Sequence, residues 1–190
     1  MYSGNIIIIG SSTGGTRVLD DIFSSVPILN AAVVIVQHIP PFFDRGFAER
    51  LNDKAKMTVA LAEDGDLLER GKVYVAPART HLEISDNTML RLVKGEKVNF
   101  CCPSVDVTMC SVSENRTGKL VGVILTGMGN DGANGISHIK SLHGTTIVQD
   151  KKTCAVYGMP MEAEKTGNVD LVLPAEQIGK KLMELAGTVR

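Results

Sequence analysis

Short runs of apolar, mostly β-branched residues recur along the chain and predict buried strands. Three of them, Asn5 to Ile9, Ala32 to Val36 and Leu120 to Thr126, are almost continuously apolar instead of alternating. Such runs are typical of strands covered on both faces in a parallel sheet. Further short strands are predicted at Lys72 to Ala76, Thr145 to Gln149 and Val169 to Leu173.

Apolar residues at helical spacing separate most of these strands. The first stripe contains Val18, Leu19, Ile22 and Phe23 and stops before Pro27. Other helices are predicted over Phe42 to Leu51, from Pro103-Ser104 to Val112, around Ile136 to Leu142, after Pro160 and from Ala175. Because strands and helices alternate, we expect an α/β fold, a doubly wound and mostly parallel sheet with helices on both faces.

The middle of the chain departs from this alternation. Apolar and polar or small residues alternate from Met57 to Leu61, and His81 to Ser85 and Met89 to Val93 flank the turn pair Asp86-Asn87. We therefore expect an antiparallel hairpin at the edge of the sheet. Since the chain shows no internal repeat, low-complexity tract or linker, residues 1–190 are predicted to form a single domain.

Composition excludes several classes of protein. Lys and Arg total 20 against 21 Asp and Glu, so no basic excess suggests a nucleic-acid partner. The apolar run Ile6 to Ile9 is too short for a signal peptide or a membrane span, so we expect a soluble, cytoplasmic protein without membrane insertion. The adjacent Cys101 and Cys102 cannot readily give two ligands to one tetrahedral zinc, and we expect reduced thiols and neither a metal nor a cofactor.

The turn after the first strand, Gly10-Ser11-Ser12-Thr13-Gly14-Gly15, matches the G-x-S-x-G pattern that exposes a nucleophilic serine above a sheet. The same glycines could cradle a phosphate, and the turn alone leaves both interpretations open. A nucleotide site would also require a P-loop lysine or an acidic ribose ligand about 20 residues further on. The lysine is absent, and Asp20 and Asp21 come too early.

A histidine and a carboxylate follow two other strands. His38 ends the second strand, and Asp131 lies just beyond Leu120 to Thr126. Because ligands of parallel sheets bind at the carboxyl ends of the strands, we predict that Ser12, His38 and Asp131 form a catalytic triad there. The order Ser, His, Asp differs from that of α/β-hydrolases. His81 is a further candidate, either beside the substrate or as a surface or capping residue.

Six blocks of the chain, in order, resemble the catalytic domain of CheB, the chemotaxis protein-glutamate methylesterase. The blocks are Gly10 to Gly15, Gln37 to Pro41, Ala62 to Gly65, Pro103 to Asp106, Leu125 to Gly132 and Gly158 to Pro160. The resemblance implies hydrolysis of γ-glutamyl methyl esters on the cytoplasmic helices of methyl-accepting chemoreceptors, with release of methanol. In many members it also implies deamidation of receptor glutamines.

The resemblance assigns roles to individual residues. It makes Ser12 the nucleophile, His38 the general base and then acid, and Asp131 the residue that orients His38. It also places Thr13 and Met128 near the oxyanion.

Two departures from the family pattern bear on the substrate, and one concerns domain organisation. Cys102 stands where the family often has an arginine, and Ala78-Arg79 replaces a common Gly-Asp, which makes Arg79 a candidate substrate-side charge. Typical members also carry an N-terminal receiver domain, which we do not expect in residues 1–190.

The alternative to an esterase is a non-catalytic module of the same fold that binds a receptor or a signalling partner.

Overall fold

A computed structural model describes residues 2–115 and 117–189, and within them the chain forms nine strands and six helices. The strands are β1 (Asn5–Ser11), β2 (Ala31–Gln37), β3 (Thr58–Leu61), β4 (Lys72–Val75), β5 (His81–Ser85), β6 (Met89–Val93), β7 (Leu120–Ile124), β8 (Thr145–Gln149) and β9 (Leu171–Leu173). The helices are α1 (Gly15–Ser25), α2 (Asp44–Lys54), α3 (Val105–Cys110), α4 (Ala133–Ser141), α5 (Met159–Lys165) and α6 (Ala175–Ala186).

Seven of the strands in the described ranges form one sheet, here called the main sheet, in the order β3-β4-β2-β1-β7-β8-β9. Every neighbouring pair in it is parallel. Strand β1 therefore lies at the centre, between β2 and β7. This arrangement confirms the doubly wound, mostly parallel sheet, and it brings the carboxyl ends of these three strands to one edge.

Both faces of the main sheet are buried, which explains why its strands are continuously apolar. In β1, Ile7 and Ile9 belong to one core, whereas Ile6 and Ile8 belong to the other. Helices α1, α2 and α6 contribute to the first core and helices α3, α4 and α5 to the second. None of the helices in the described ranges is both long enough and apolar enough to span a membrane.

The hairpin has the predicted residues, but its predicted position at the sheet edge is wrong. Strands β5 and β6 pair antiparallel as a separate sheet, and the edges of the main sheet are β3 and β9. Leu82, Ile84 and Leu90 are buried in the second core. Because one face of the hairpin is apolar, it packs over that core beside α3 instead of extending the main sheet.

Candidate active site

The loops after β1 and β2 place Ser12 and His38 side by side. Ser11 and Gln37 are the last paired residues of the two strands, so Ser12 and His38 take the next positions. The backbone N–H of His38 donates to the carbonyl of Ser11 at 2.9 Å, and the N–H of Ser12 donates to the carbonyl of Thr126 at 3.0 Å. Neighbouring strands lie about 5 Å apart, so the backbones of the two residues are held at roughly that separation.

Gln37 ties the two loops together through its buried side chain. Its amide group donates to the carbonyl of Ser12 at 3.0 Å and to that of His38 at 2.8 Å, and its oxygen accepts from the Ser11 hydroxyl at 2.6 Å. Gly14, with a φ of 84°, then turns the chain into α1. The only sequence signal for this role was the position of Gln37 in one of the six blocks, directly before His38, and sequence reasoning missed it.

Asp131 is held in place by several donors and contacts His38. Its Oδ2 lies 2.8 Å from Nε2 of His38 and accepts from the backbone N–H of Val105 at 2.7 Å. Its Oδ1 accepts from the Ser104 hydroxyl at 2.7 Å and from the N–H of Asp106 at 3.1 Å. Helix α3, begun by the predicted Pro103-Ser104 signal, therefore fixes the carboxylate that faces the histidine.

These contacts determine the protonation states of Asp131 and His38. Burial favours the neutral acid, but hydrogen bonds from His38, Ser104 and two backbone N–H groups outweigh it and hold the pKa of Asp131 below its usual value. Burial would also lower the pKa of His38, yet the hydrogen bonds with Asp131 and Cys101 raise it to about 9. At neutral pH the resting pair is thus a carboxylate beside an imidazolium.

A cleft of about 540 Å³ opens beside His38, on the side away from Asp131. Sequence reasoning did not place Cys101 here, but its Sγ lies 3.6 Å from Nδ1 of His38. Arg79 and Lys97 line the same cleft and give it positive charge, whereas Ser12 is not part of its lining. The cleft therefore borders His38 and has room for a ligand beside it.

The candidate oxyanion residues lie in the two loops that border Ser12. A Cβ built on Gly127 would lie 2.8 Å from Cβ of Ser12, so the Met128 loop adjoins the serine directly. Among the described residues, the recorded hydrogen bonds include none donated by the backbone N–H of Thr13 or Met128. These two N–H groups are therefore available as donors in the loops that border Ser12.

Of the two candidate substrate-side residues, Arg79 lines the cleft and His81 does not. The guanidinium of Arg79 lies 4.7 Å from the ring centroid of Phe42. His81 is only 3% exposed, and its ring nitrogens bond to the carbonyl of Glu96 at 2.8 Å and the N–H of Ser104 at 3.2 Å. With both nitrogens engaged by backbone, His81 supports the loop before α3 and is not positioned to contact a substrate.

Comparisons with known proteins match the sequence and the fold of this chain. Residues 7–182 match the family model described as CheB methylesterase. The crystal structure of the Thermotoga maritima CheB methylesterase catalytic domain superimposes with a TM-score of 0.92 at 44% identity, covering 97% of this chain and 100% of that one.

Longer relatives are named protein-glutamate methylesterase/protein-glutamine glutaminase. Those of Thermotoga maritima and Salmonella typhi are 44% and 41% identical to this chain, in each case over 96% of it. The alignments cover 54% and 53% of the relatives. The chain thus spans about half the length of the curated relatives that it matches.

Proposed function

The chain belongs to the CheB methylesterase family, and we propose that it is a serine hydrolase that removes methyl esters from γ-glutamyl side chains of chemoreceptors. One observation carries this proposal. Asp131 holds His38 at 2.8 Å on the sheet edge where Ser12 follows the neighbouring strand. A serine, a histidine and a carboxylate in this relation are the parts that acyl transfer requires.

One nitrogen of the His38 ring acts as the base. Nε2 of His38 is bonded to Asp131, so Nδ1 is the nitrogen that accepts the proton of the Ser12 hydroxyl. The Ser12 oxygen then attacks the ester carbonyl carbon and forms a tetrahedral oxyanion. Backbone N–H groups of Thr13 and Met128 stabilise that charge, each contributing about 3 kcal/mol.

The two halves of the reaction use the same proton carrier. His38 returns the proton to the departing methoxide, which leaves as methanol, and Ser12 is left acylated. A water molecule, deprotonated by His38, then attacks the acyl group, and His38 returns the proton to the Ser12 oxygen as the glutamate product leaves. The same steps applied to a glutamine side chain release ammonia, and the double name of the relatives supports this second activity.

The test is release of methanol from methylated receptor. Ser12→Ala should reduce turnover by as much as about 10⁶-fold, and His38→Ala by a similar factor, because the two residues act as a unit. Ser24, an exposed serine in α1, supplies the matched control, and Ser24→Ala should keep the wild-type rate. Wild-type turnover by Ser12→Ala would refute the assignment of the nucleophile.

Cys101 is the competing nucleophile, since its sulfur also lies near Nδ1 of His38. Under the proposal, Cys101→Ala keeps a rate well above that of Ser12→Ala, and a fluorophosphonate probe labels Ser12. If Cys101→Ala were instead slower than Ser12→Ala, Cys101 would be the nucleophile. A folded protein that neither reacts with the probe nor releases methanol would instead be the non-catalytic binding module.

A further inference from the structure

His38 and Cys101 bring two atoms of the types that bind metals close to each other. Sγ of Cys101 lies 3.6 Å from Nδ1 of His38. Together with Asp131 they are the one group in residues 2–115 and 117–189 in which three such side chains bring ligand atoms within 4.8 Å of one another. Two of these side chains, an imidazole and a thiol, are the types that zinc prefers.

The separation of the two atoms fits a single zinc ion. Zinc lies about 2.3 Å from a cysteine sulfur and about 2.0 to 2.1 Å from a histidine nitrogen. At a tetrahedral angle these bonds place sulfur and nitrogen about 3.6 Å apart. The distance between Cys101 and His38 therefore matches that between two ligands of one zinc ion.

Asp131 contacts the other nitrogen of the His38 ring, Nε2. A histidine that binds a metal through one nitrogen usually donates its other N–H to a carboxylate, which fixes the ring and its tautomer. Asp131 accepts from Nε2 of His38 at 2.8 Å and is itself held by Ser104 and backbone N–H groups. When zinc displaces the proton from Nδ1, the lone pair of this nitrogen is thereby directed towards Cys101 and the cleft.

We propose that His38 and Cys101 form a site for Zn²⁺ that inhibits the hydrolase. The metal takes the Nδ1 lone pair that would otherwise accept the Ser12 proton, so zinc binding and proton transfer exclude each other. Only two protein ligands bind the ion, and water in the open cleft fills the remaining positions, so the inhibition is reversible. Cys102 is not needed as a ligand. The inhibition rests on the proposed function, whereas the metal site does not.

Binding is tested without any assay of activity. Co²⁺ serves as the probe, because a cobalt–thiolate bond gives a charge-transfer absorption band. The reduced, chelator-treated chain should show this band on titration with Co²⁺. Cys101→Ser should remove the band and weaken binding by roughly tenfold or more, because even the loss of a residue that only supports a metal ligand costs that much. The controls are Cys110→Ser, at an exposed cysteine, and Cys102→Ser, at the adjacent one, and both should keep the band.

Two results of the titration would overturn the site. One is the absence of a band in the wild-type chain. The other is a band that survives Cys101→Ser in a variant whose circular dichroism shows a folded protein. Loss of the band in His38→Ala as well as in Cys101→Ser would support the pair as the ligands.

Inhibition is then measured as methanol release at buffered free Zn²⁺. Each variant is normalised to its own metal-free rate. Zinc should inhibit the wild type reversibly, and Cys101→Ser should need roughly tenfold more zinc for the same fractional loss. Equal sensitivity of the two proteins would refute an inhibitory role. If the chain binds Co²⁺ through Cys101 but never hydrolyses the ester, the proposed function fails and the metal site stands.

Discussion

At the scale of single residues, burial and hydrogen bonding have opposite effects on the pKa values of Asp131 and His38. Asp131 is 2% exposed, yet it stays ionised because its oxygens accept several hydrogen bonds. That fixed negative charge stabilises the protonated form of His38. The pKa of about 9 that results lies above the ordinary histidine value of 6.5. His38 is therefore mostly protonated at neutral pH.

This raised pKa predicts an alkaline activity profile. Only neutral His38 can accept the Ser12 proton, so kcat/KM for ester hydrolysis should rise from neutral pH towards a midpoint near the His38 pKa of about 9. Contact with Cys101 also raises this pKa, and Cys101→Ala should move the midpoint to lower pH. Rates are measured with a chelator present. A profile already level below neutral pH would contradict the argument.

At the scale of elements, the turns between strands and helices hold the reacting groups by close backbone packing. Gly127 shows this most clearly. A Cβ at this position would lie 2.3 Å from Sδ of Met159 and 2.8 Å from Cβ of Ser12. The loop after β7 and the start of α5 thus leave room only for a hydrogen beside Ser12.

Gly127→Ala should therefore displace Ser12 and lower kcat, by about 10²-fold for a shift of 1 Å, because acyl transfer is sensitive to such displacements. Gly46, in α2, provides the matched control, because a Cβ there would meet no atom within 4 Å. Gly46→Ala should keep the rate and stabilise the helix by up to about 1 kcal/mol. Equal kcat values in the two variants would show that the close packing does not position the serine.

Helix α3 offers a prediction about stability. The Ser104 hydroxyl caps this helix by accepting from the N–H of Val107 and also donates to Asp131 at 2.7 Å. Ser104→Ala removes both contacts and leaves a buried carboxylate oxygen with one donor fewer, so it should cost about 1 to 3 kcal/mol of unfolding free energy. Urea denaturation measures this, with Ser24→Ala expected to stay within about 0.5 kcal/mol of wild type. Equal stability of the two variants would contradict this account.

The same elements show what sequence can and cannot predict. The runs in β1, β2 and β7 identified a parallel sheet, and the rule that ligands bind at its carboxyl edge selected Ser12, His38 and Asp131. The hairpin was predicted at the correct residues but at the wrong place, because an apolar face does not reveal which surface it covers. Cys101 near His38 could not be predicted, since Asn99 and Phe100 before it adopt positive φ values of 50° and 63°.

At the scale of the whole molecule, two cores hold the main sheet rigid while exposed apolar residues stand around the site. We call Phe42, Phe100 and Met128 the apolar rim; their exposed fractions are 83%, 94% and 75%. Phe100 lines the cleft, Phe42 contacts Arg79 at its wall, and Met128 follows the glycine that packs on Ser12. Exposed apolar residues grouped in this way are typical of a surface that binds a protein.

The apolar rim predicts a difference between large and small substrates. A receptor helix that reaches Ser12 would bury Phe100, and losing one such anchor costs about 1.4 kcal/mol, or tenfold in affinity. Phe100→Ala should therefore raise KM for methylated receptor by roughly tenfold, with kcat and the hydrolysis of a small methyl ester little changed. Val172→Ala, an exposed position on edge strand β9, should leave both substrates unaffected. An equal loss on the receptor and the small ester would mean that Phe100 supports the shape of the active site and not the docking of the protein substrate.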